Sequence, residues 1–212
     1  MIDSDIIKNK DYYYPNVSRE TLNDLKEYTK SILSKNREIN LISNSTEKTI
    51  NIRHIKDSAQ TIDFIDNKDI YTCTDLGSGA GLPGIVLAIL MKHKNPLFKV
   101  IFYEKSFHKS NFLREVSEKL KLRTKIHKKN IFDEKNLQTD SIVARAFKPL
   151  PVILNLAYEN FSKFKNIIVF LGKNGKESLK ESLKNWKFEY EEKRSITSDD
   201  SFLIKITKLK KI

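Results

Sequence analysis

The spacing of apolar positions changes along the chain, and each spacing predicts a different element. Leu22, Leu25, Tyr28, Ile32 and Leu33 recur at helical intervals. Ser18 is placed to cap that helix, with Glu20 in its first turn. The polar stretch Ser43-Asn44-Ser45-Thr46 predicts a link, and Ile52, Ile55, Ala59, Ile62 and Ile65 predict a second helix. From residue 70 onward short apolar runs alternate with helical patterns. Strands are predicted over 70–74, 98–103, 123–127, 141–144 and 167–171. Between them lie an apolar helix over 85–91, a helix capped by Ser106, one opened by Pro149 and Pro151, and one marked by Leu179 and Leu183. Residues 188–190 and 202–206 predict a closing antiparallel pair, and Lys208-Leu209-Lys210-Lys211 a frayed basic tail. Alternating strands and helices imply a doubly wound α/β sheet, Rossmann-like and mostly parallel, with one antiparallel strand near the C-terminus. An N-terminal helical cap (1–68) is expected to pack on the α/β core (69–212) as one unit.

The junction of the first strand and its helix carries the candidate chemistry. It reads Asp75-Leu76-Gly77-Ser78-Gly79-Ala80-Gly81-Leu82-Pro83-Gly84. Glycines there allow a sharp turn and a close approach by a ligand, and Pro83 suits the first turn of a helix. A dinucleotide fingerprint would need G-x-G-x-x-G, but Leu82 stands where its third glycine belongs. Asp75 before the turn would repel a pyrophosphate and suits a cationic ammonium or sulfonium ligand. That combination is the pattern of S-adenosylmethionine enzymes. Glu104, closing the next strand, lies at the separation at which a carboxylate reaches ribose hydroxyls.

Composition narrows the setting. The 212 residues fit one domain with a small appendage, and 39% hydrophobic content can supply a core. No apolar run approaches the ~20 residues of a membrane span, and the polar start Met1-Ile2-Asp3-Ser4-Asp5 is unlike a signal peptide. The single cysteine, Cys73, excludes an internal disulfide and a cysteine-rich metal site. These features predict a cytoplasmic protein. A formal charge of +12 points to a polyanion partner such as nucleic acid, although AT-rich coding also enriches lysine.

Several further segments join the glycine turn: Asn40-Leu41, Arg53-His54-Ile55-Lys56-Asp57-Ser58, Lys109 with Phe112-Leu113-Arg114, and Ala144-Arg145-Ala146-Phe147. Together, from about residue 20 to the end, the chain resembles the bacterial small-subunit (16S) ribosomal RNA guanine-N7 methyltransferases, the glucose-inhibited division protein B family. The resemblance implies a class I methyltransferase sheet and S-adenosyl-L-methionine as cofactor. It also implies a guanine in a decoding-region loop of small-subunit rRNA as the target. It places the cofactor on Gly77, Leu82, Asn130, Ile131 and Arg145, with Glu104 on the ribose. Asp75, Ser78, Gly79 and Ala80 complete the expected cofactor loop. Lys129 stands where the family usually holds arginine.

Guanine N7 has a lone pair and no proton, so its methylation requires alignment rather than a base. The sequence fits: 144–149 lacks the Asn/Asp-Pro-Pro-aromatic segment of exocyclic-amine enzymes, and Cys73 lies away from that loop. Arg145 is the candidate catalytic residue, holding the cofactor or guanine O6, and Phe147 is placed either to stack on the base or to pack in the core. His54 and Asp57 share a helix face without a third metal ligand, so no metal is expected. They are expected to bond to the core or to close the pocket mouth. RNA contact is expected through Lys109, Lys121, Lys125, Lys128 and Lys129, with further cations on the cap at Lys35, Arg37, Arg53 and Lys56. The partner would be small-subunit rRNA or the ribosomal subunit, met by a monomer that does not enter membranes. The residues alone also fit a methyltransferase of a small molecule or protein, or a cofactor-sensing RNA-binding protein without turnover.

Overall fold

The computed structural model describes residues 17–65 and 69–212. The polar start Met1–Asp5 and the last residues of the expected cap, 66–68, lie outside them. Helix α1 (Arg19–Asn36) begins where Ser18 accepts a hydrogen bond from the Thr21 N–H, as its sequence predicts. The next segment is less regular than its apolar spacing suggests. A 3-10 turn (Asn44–Thr49) stands in place of the expected polar link, and a π turn (Asn51–Lys56) runs into the short helices α2 (Asp57–Ala59) and α3 (Ile62–Ile65). The expected continuous helix is thus broken. Widening to a π turn is common at functional sites, and here it turns Arg53, His54, Asp57 and Ser58 toward one arginine of the core.

The core follows as β1 (Thr72–Leu76), α4 (Gly84–Lys94), β2 (Lys99–Tyr103), α5 (Phe107–Lys119), β3 (Thr124–His127), β4 (Leu137–Gln138), β5 (Ser141–Ala144), α6 (Leu150–Asn160), β6 (Phe161–Lys163), β7 (Asn166–Leu171), α7 (Gly175–Ser182), β8 (Trp186–Arg194) and β9 (Phe202–Lys211). Seven strands form one sheet in the order β3-β2-β1-β5-β7-β9-β8, while β4 and β6 pair separately. Every pairing in the large sheet is parallel except the two made by β9. The closing antiparallel pair is therefore present and longer than its apolar residues indicate. The expected frayed tail is instead strand: Lys210 and Lys211 pair with Lys187 and Trp186, and Lys208 meets Glu189. Backbone pairing to β8 orders these lysines, and side-chain patterning does not show it. β1 begins two residues later than predicted.

Alternation along the strands divides the core between two faces. Val143 and Ile168 join α1, α4 and α5 on one face, while Ile142, Ala144, Ile167 and Val169 join α6 and α7 on the other. Helix α4 is buried all round, since it lies between the sheet and α1; this accounts for its unbroken run 85–91. Among the described residues no helix is long and apolar enough to cross a membrane. The chain reaches β2 and β3 on one side of β1, then returns to place β5 on the other. Ligands of such sheets bind beyond the carboxyl ends at the point where the order reverses. That point lies between Leu76 and its register partner Ala144, with the glycine turn on one side and Arg145 on the other.

Candidate active site

The glycine turn is built by backbone conformation. Gly77, Gly79 and Gly81 have φ of +64°, +55° and +92°, a region that side chains disfavour. Their surroundings differ. A Cβ on Gly77 would strike the Phe147 ring, and one on Gly81 would strike Ile85 and Leu113. At Gly79 it would meet only the Gly77 carbonyl oxygen, 3.9 Å away, so that face of the turn is open. Ser78 is turned inward, its hydroxyl donating to the Asp75 carbonyl at 3.0 Å. Ala80 is buried and its carbonyl accepts a 2.8 Å bond from the Tyr28 hydroxyl of α1. Burial raises Tyr28 well above its usual range, so the hydroxyl stays protonated and donates. Leu82 is half-buried against the core.

Two carboxylates accept from backbone N–H groups of the turn. Glu104 is buried and bridges the loops: its Oε2 accepts from the Gly79 N–H at 2.9 Å, and its Oε1 from the Ser106 N–H at 2.7 Å. Asp75 lies in the sheet with 1% exposure. Its Oδ2 accepts from the Gly84 N–H at 2.8 Å, at the start of α4, while its buried Oδ1 has no partner. Burial pushes the carboxyl up to about 7; Glu104 adds to the rise, and the Gly84 N–H and Arg145 oppose it. A buried acceptor without a donor is costly, and a cationic group reaching this carboxyl would relieve the cost. The open face at Gly79 and the orphaned Asp75 oxygen both fit a ligand such as S-adenosylmethionine.

Asn130 and Ile131 stand beyond β3. The Asn130 side chain accepts from the Phe132 N–H at 3.4 Å, and Ile131 is buried. The loop is clamped by Asn160, whose amide donates to the carbonyls of Ile131, Phe132 and Glu134 at 3.4, 3.2 and 2.5 Å. Phe147 lies over Gly77 and stacks on Phe132, with centroids 6.0 Å apart.

Arg145 ties the π turn and α2 to the sheet. Its Nε pairs with Asp57 Oδ2 at 3.1 Å; Nη1 donates to Ser58 Oγ at 3.4 Å; Nη2 donates to the Arg53 carbonyl at 2.7 Å and to His54 Nδ1 at 3.1 Å. These contacts use four of its five N–H donors. Since arginine only donates, His54 Nδ1 must accept, which leaves the proton on Nε2. Nε2 then donates to Thr46 Oγ1 at 2.7 Å, and Thr46 donates onward to the Ser43 carbonyl at 2.8 Å. Burial, then the charges of Arg145 and Arg53, pull His54 down to about 4, so it is neutral at physiological pH. The second Asp57 oxygen accepts from Gln60, Ser195 and Thr197 at 3.0, 3.1 and 2.7 Å. His54 and Asp57 therefore bond to the core, as their helix face predicts. Tyr28, Asn160, Gln60, Ser195 and Thr197 are missed by sequence patterning. Only their side-chain bonds, Tyr28 and Asn160 to backbone carbonyls and Gln60, Ser195 and Thr197 to Asp57, distinguish them from ordinary core and loop residues.

The lysines form a stripe along the edge strand β3. Lys121, Lys125, Lys128 and Lys129 are exposed, while Lys109, on the first turn of α5, is half-buried. Lys121 precedes the strand and lies at the end remote from the glycine turn; Lys128 and Lys129 follow it on the near side. Lys129 pairs with Glu134 at 2.8 Å. Among the described residues no group of three His, Cys, Asp or Glu side chains could hold a metal ion.

A glycine turn after the first strand, an acid closing the second and a single reversed strand define a class I methyltransferase fold. Solved structures of this fold include the 16S rRNA methylase RmtB (TM-score 0.55, 11% identity, 91% of this chain and 76% of that one). The METTL16 MTase domain is another (TM-score 0.52, 16% identity, 78% and 69%). The chain belongs to the GidB family, rRNA small subunit methyltransferase G, which matches residues 21–202. Relatives named ribosomal RNA small subunit methyltransferase G include that of Pelagibacter ubique (strain HTCC1062), 52% identical over 92% of each chain. That of Orientia tsutsugamushi (strain Ikeda) is 38% identical over 90% of this chain and 92% of its own.

Proposed function

We propose that this chain transfers a methyl group from S-adenosyl-L-methionine to N7 of a guanine in small-subunit ribosomal RNA, free or in the ribosomal subunit. It acts in the cytoplasm as a monomer without a metal. The observation that carries this reading is the open face at Gly79, whose N–H Glu104 holds, in the same glycine turn that leaves an Asp75 oxygen orphaned, at the switch point of a family member's sheet. The cofactor supplies an electrophilic methyl on a cationic sulfur. Gly77, Ser78, Gly79, Ala80 and Leu82 form the loop that would hold it, Glu104 the ribose acceptor, and Asn130 and Ile131 the adenine contact. Asp75 provides the negative charge that favours a cation.

N7 attacks without first losing a proton, so the protein's work is alignment and exclusion of water. Alignment alone is worth on the order of 7–11 kcal/mol when geometry is ideal. His54, which bonds to Arg145, is neutral with both nitrogens engaged and has no free lone pair to act as a base. Arg145 holds the cap against the switch point and keeps a positive charge beside Asp75. Lys109, Lys121, Lys125, Lys128 and Lys129 supply the phosphate contacts.

Purified chain incubated with methyl-labelled S-adenosylmethionine should label small-subunit rRNA or the subunit. Label on neither overturns the reading, and label on protein or small molecules instead favours a different substrate.

Two outcomes follow from the electrostatics. A cation beside Asp75 favours its carboxylate, so cofactor binding should release a proton. The release should be largest at about pH 6, where the free protein is protonated, and fade by about pH 8, with affinity rising between them. Calorimetry in two buffers of different ionisation enthalpy measures this, and proton uptake would contradict the role of Asp75. Replacing Lys121, Lys125 and Lys128 with Gln should flatten the slope of log RNA affinity against log salt by about 2, at roughly 0.7 per lost contact. Cofactor affinity should stay as it is; an unchanged salt slope would move the RNA surface to the cap.

A further inference from the structure

We infer that Phe107 and Lys128 form a platform that grips one unpaired nucleotide of the RNA, the base on the ring and the phosphate on the ammonium. This rests on the RNA-methyltransferase reading above. Phe107 is the first residue of α5, belongs to neither core cluster and is 56% exposed. Burying it would be favourable, yet the fold leaves it outside. Lys128 Nζ lies 5.2 Å from its ring centroid, and His108 meets the ring edge-on with centroids 5.6 Å apart. Among the described residues no carboxylate pairs with Lys128, whereas the adjacent, exposed Lys129 pairs with Glu134 at 2.8 Å.

The platform is fixed in place. β2 and β3 run parallel with Tyr103 opposite His127, and those two rings stack at 4.8 Å. Phe107 and Lys128 therefore leave the carboxyl ends of neighbouring strands, on the side of the sheet where Glu104 holds the glycine turn. The Ser106 N–H on Glu104 secures the turn into α5. An aromatic face accepts any base, and a cation beside it suits the attached phosphate. S-adenosylmethionine carries no phosphate and has a net positive charge, so an ammonium beside an aromatic face suits a nucleotide better than it suits the cofactor. Unpaired nucleotides offer a free face and duplex RNA does not. The platform thus selects a single-stranded segment beside the target base.

The test uses the full chain with a short labelled single-stranded RNA and a short RNA duplex. Phe107→Ala should weaken single-strand binding roughly tenfold, leave duplex binding as it was and keep the wild-type salt slope. Phe107→Trp should restore affinity, which a loss of folding at this position would not allow. Lys128→Gln should instead flatten the single-strand salt slope by roughly 0.7. Cofactor affinity, measured by calorimetry, should be the same in all three variants. Unchanged single-strand affinity in Phe107→Ala overturns the platform. So does a loss of cofactor affinity in its place, which would assign the ring to the cofactor's adenine. Methyl transfer by the wild type is measured alongside. If it fails, the function reading falls whatever Phe107 does; if it succeeds while Phe107→Ala binds normally, only the platform falls.

Discussion

Arg145→Ala should cost about 3 kcal/mol of stability and at least about a hundredfold in turnover. The arginine and Asp57 are both largely buried, with side chains 16% and 13% exposed. Removing one partner leaves the other charge without compensation, which is more damaging than removing the pair. The loss also frees the Arg53 carbonyl, His54 and Ser58, so the cap loses its attachment beside the glycine turn. Arg145→Lys should rescue little, because one ammonium cannot reproduce a planar fork of donors. Asp57→Ala with Arg145→Ala should recover part of the stability seen in urea unfolding, but none of the turnover. Recovery of both would mean that the arginine only neutralises Asp57. A single variant with full stability and full activity would demote Arg145 to a dispensable charge.

The second large effect belongs to Gly79. Gly79→Val should reduce S-adenosylmethionine affinity by at least about a hundredfold, equivalent to ~2.7 kcal/mol. A side chain here meets no protein atom closer than the Gly77 carbonyl, so its branches would occupy the space proposed for the ligand. The backbone contributes a further ~1–2 kcal/mol of destabilisation, because φ is +55° and valine tolerates that region poorly. Gly77→Ala should fail for a different reason, since its Cβ would collide with Phe147 and disturb the loop that Phe147 covers. Calorimetry separates the two from a global loss of folding if melting is followed in parallel. Gly79→Val binding the cofactor like the wild type would remove the glycine turn from the site.

The parts of this site that a sequence reveals are those where a residue type is demanded by backbone geometry or by position on a strand. Three alternating glycines take three positive φ values, and no other residue type meets that requirement cheaply. Asp75 and Glu104 announce themselves because charges seldom end buried strands without a partner to meet. The order of strands follows from alternating periods. What escapes is long-range bonding by ordinary residues. Tyr28 sits on the apolar stripe of α1 and looks like a core aromatic, yet its hydroxyl reaches Ala80, 52 positions away. Ser195 and Thr197 lie in a polar loop, and only folding brings them to Asp57, 138 and 140 positions away. The π turn at 51–56 also escapes, because apolar spacing does not distinguish it from an α-helix over so short a run. The basic stripe lies between these cases: its charge and, through the parallel sheet, its direction are evident from sequence, but the pairing of Lys129 with Glu134 is not.

Mass mapping of small-subunit rRNA from cells with and without this gene tests the central claim most directly. The account predicts one guanine carrying an N7 methyl group in the first population and the unmodified base at the same position in the second. The gene encoding Gly79→Val should fail to restore it. Identical methylation in both populations, or a difference confined to another base or another atom, would contradict the account.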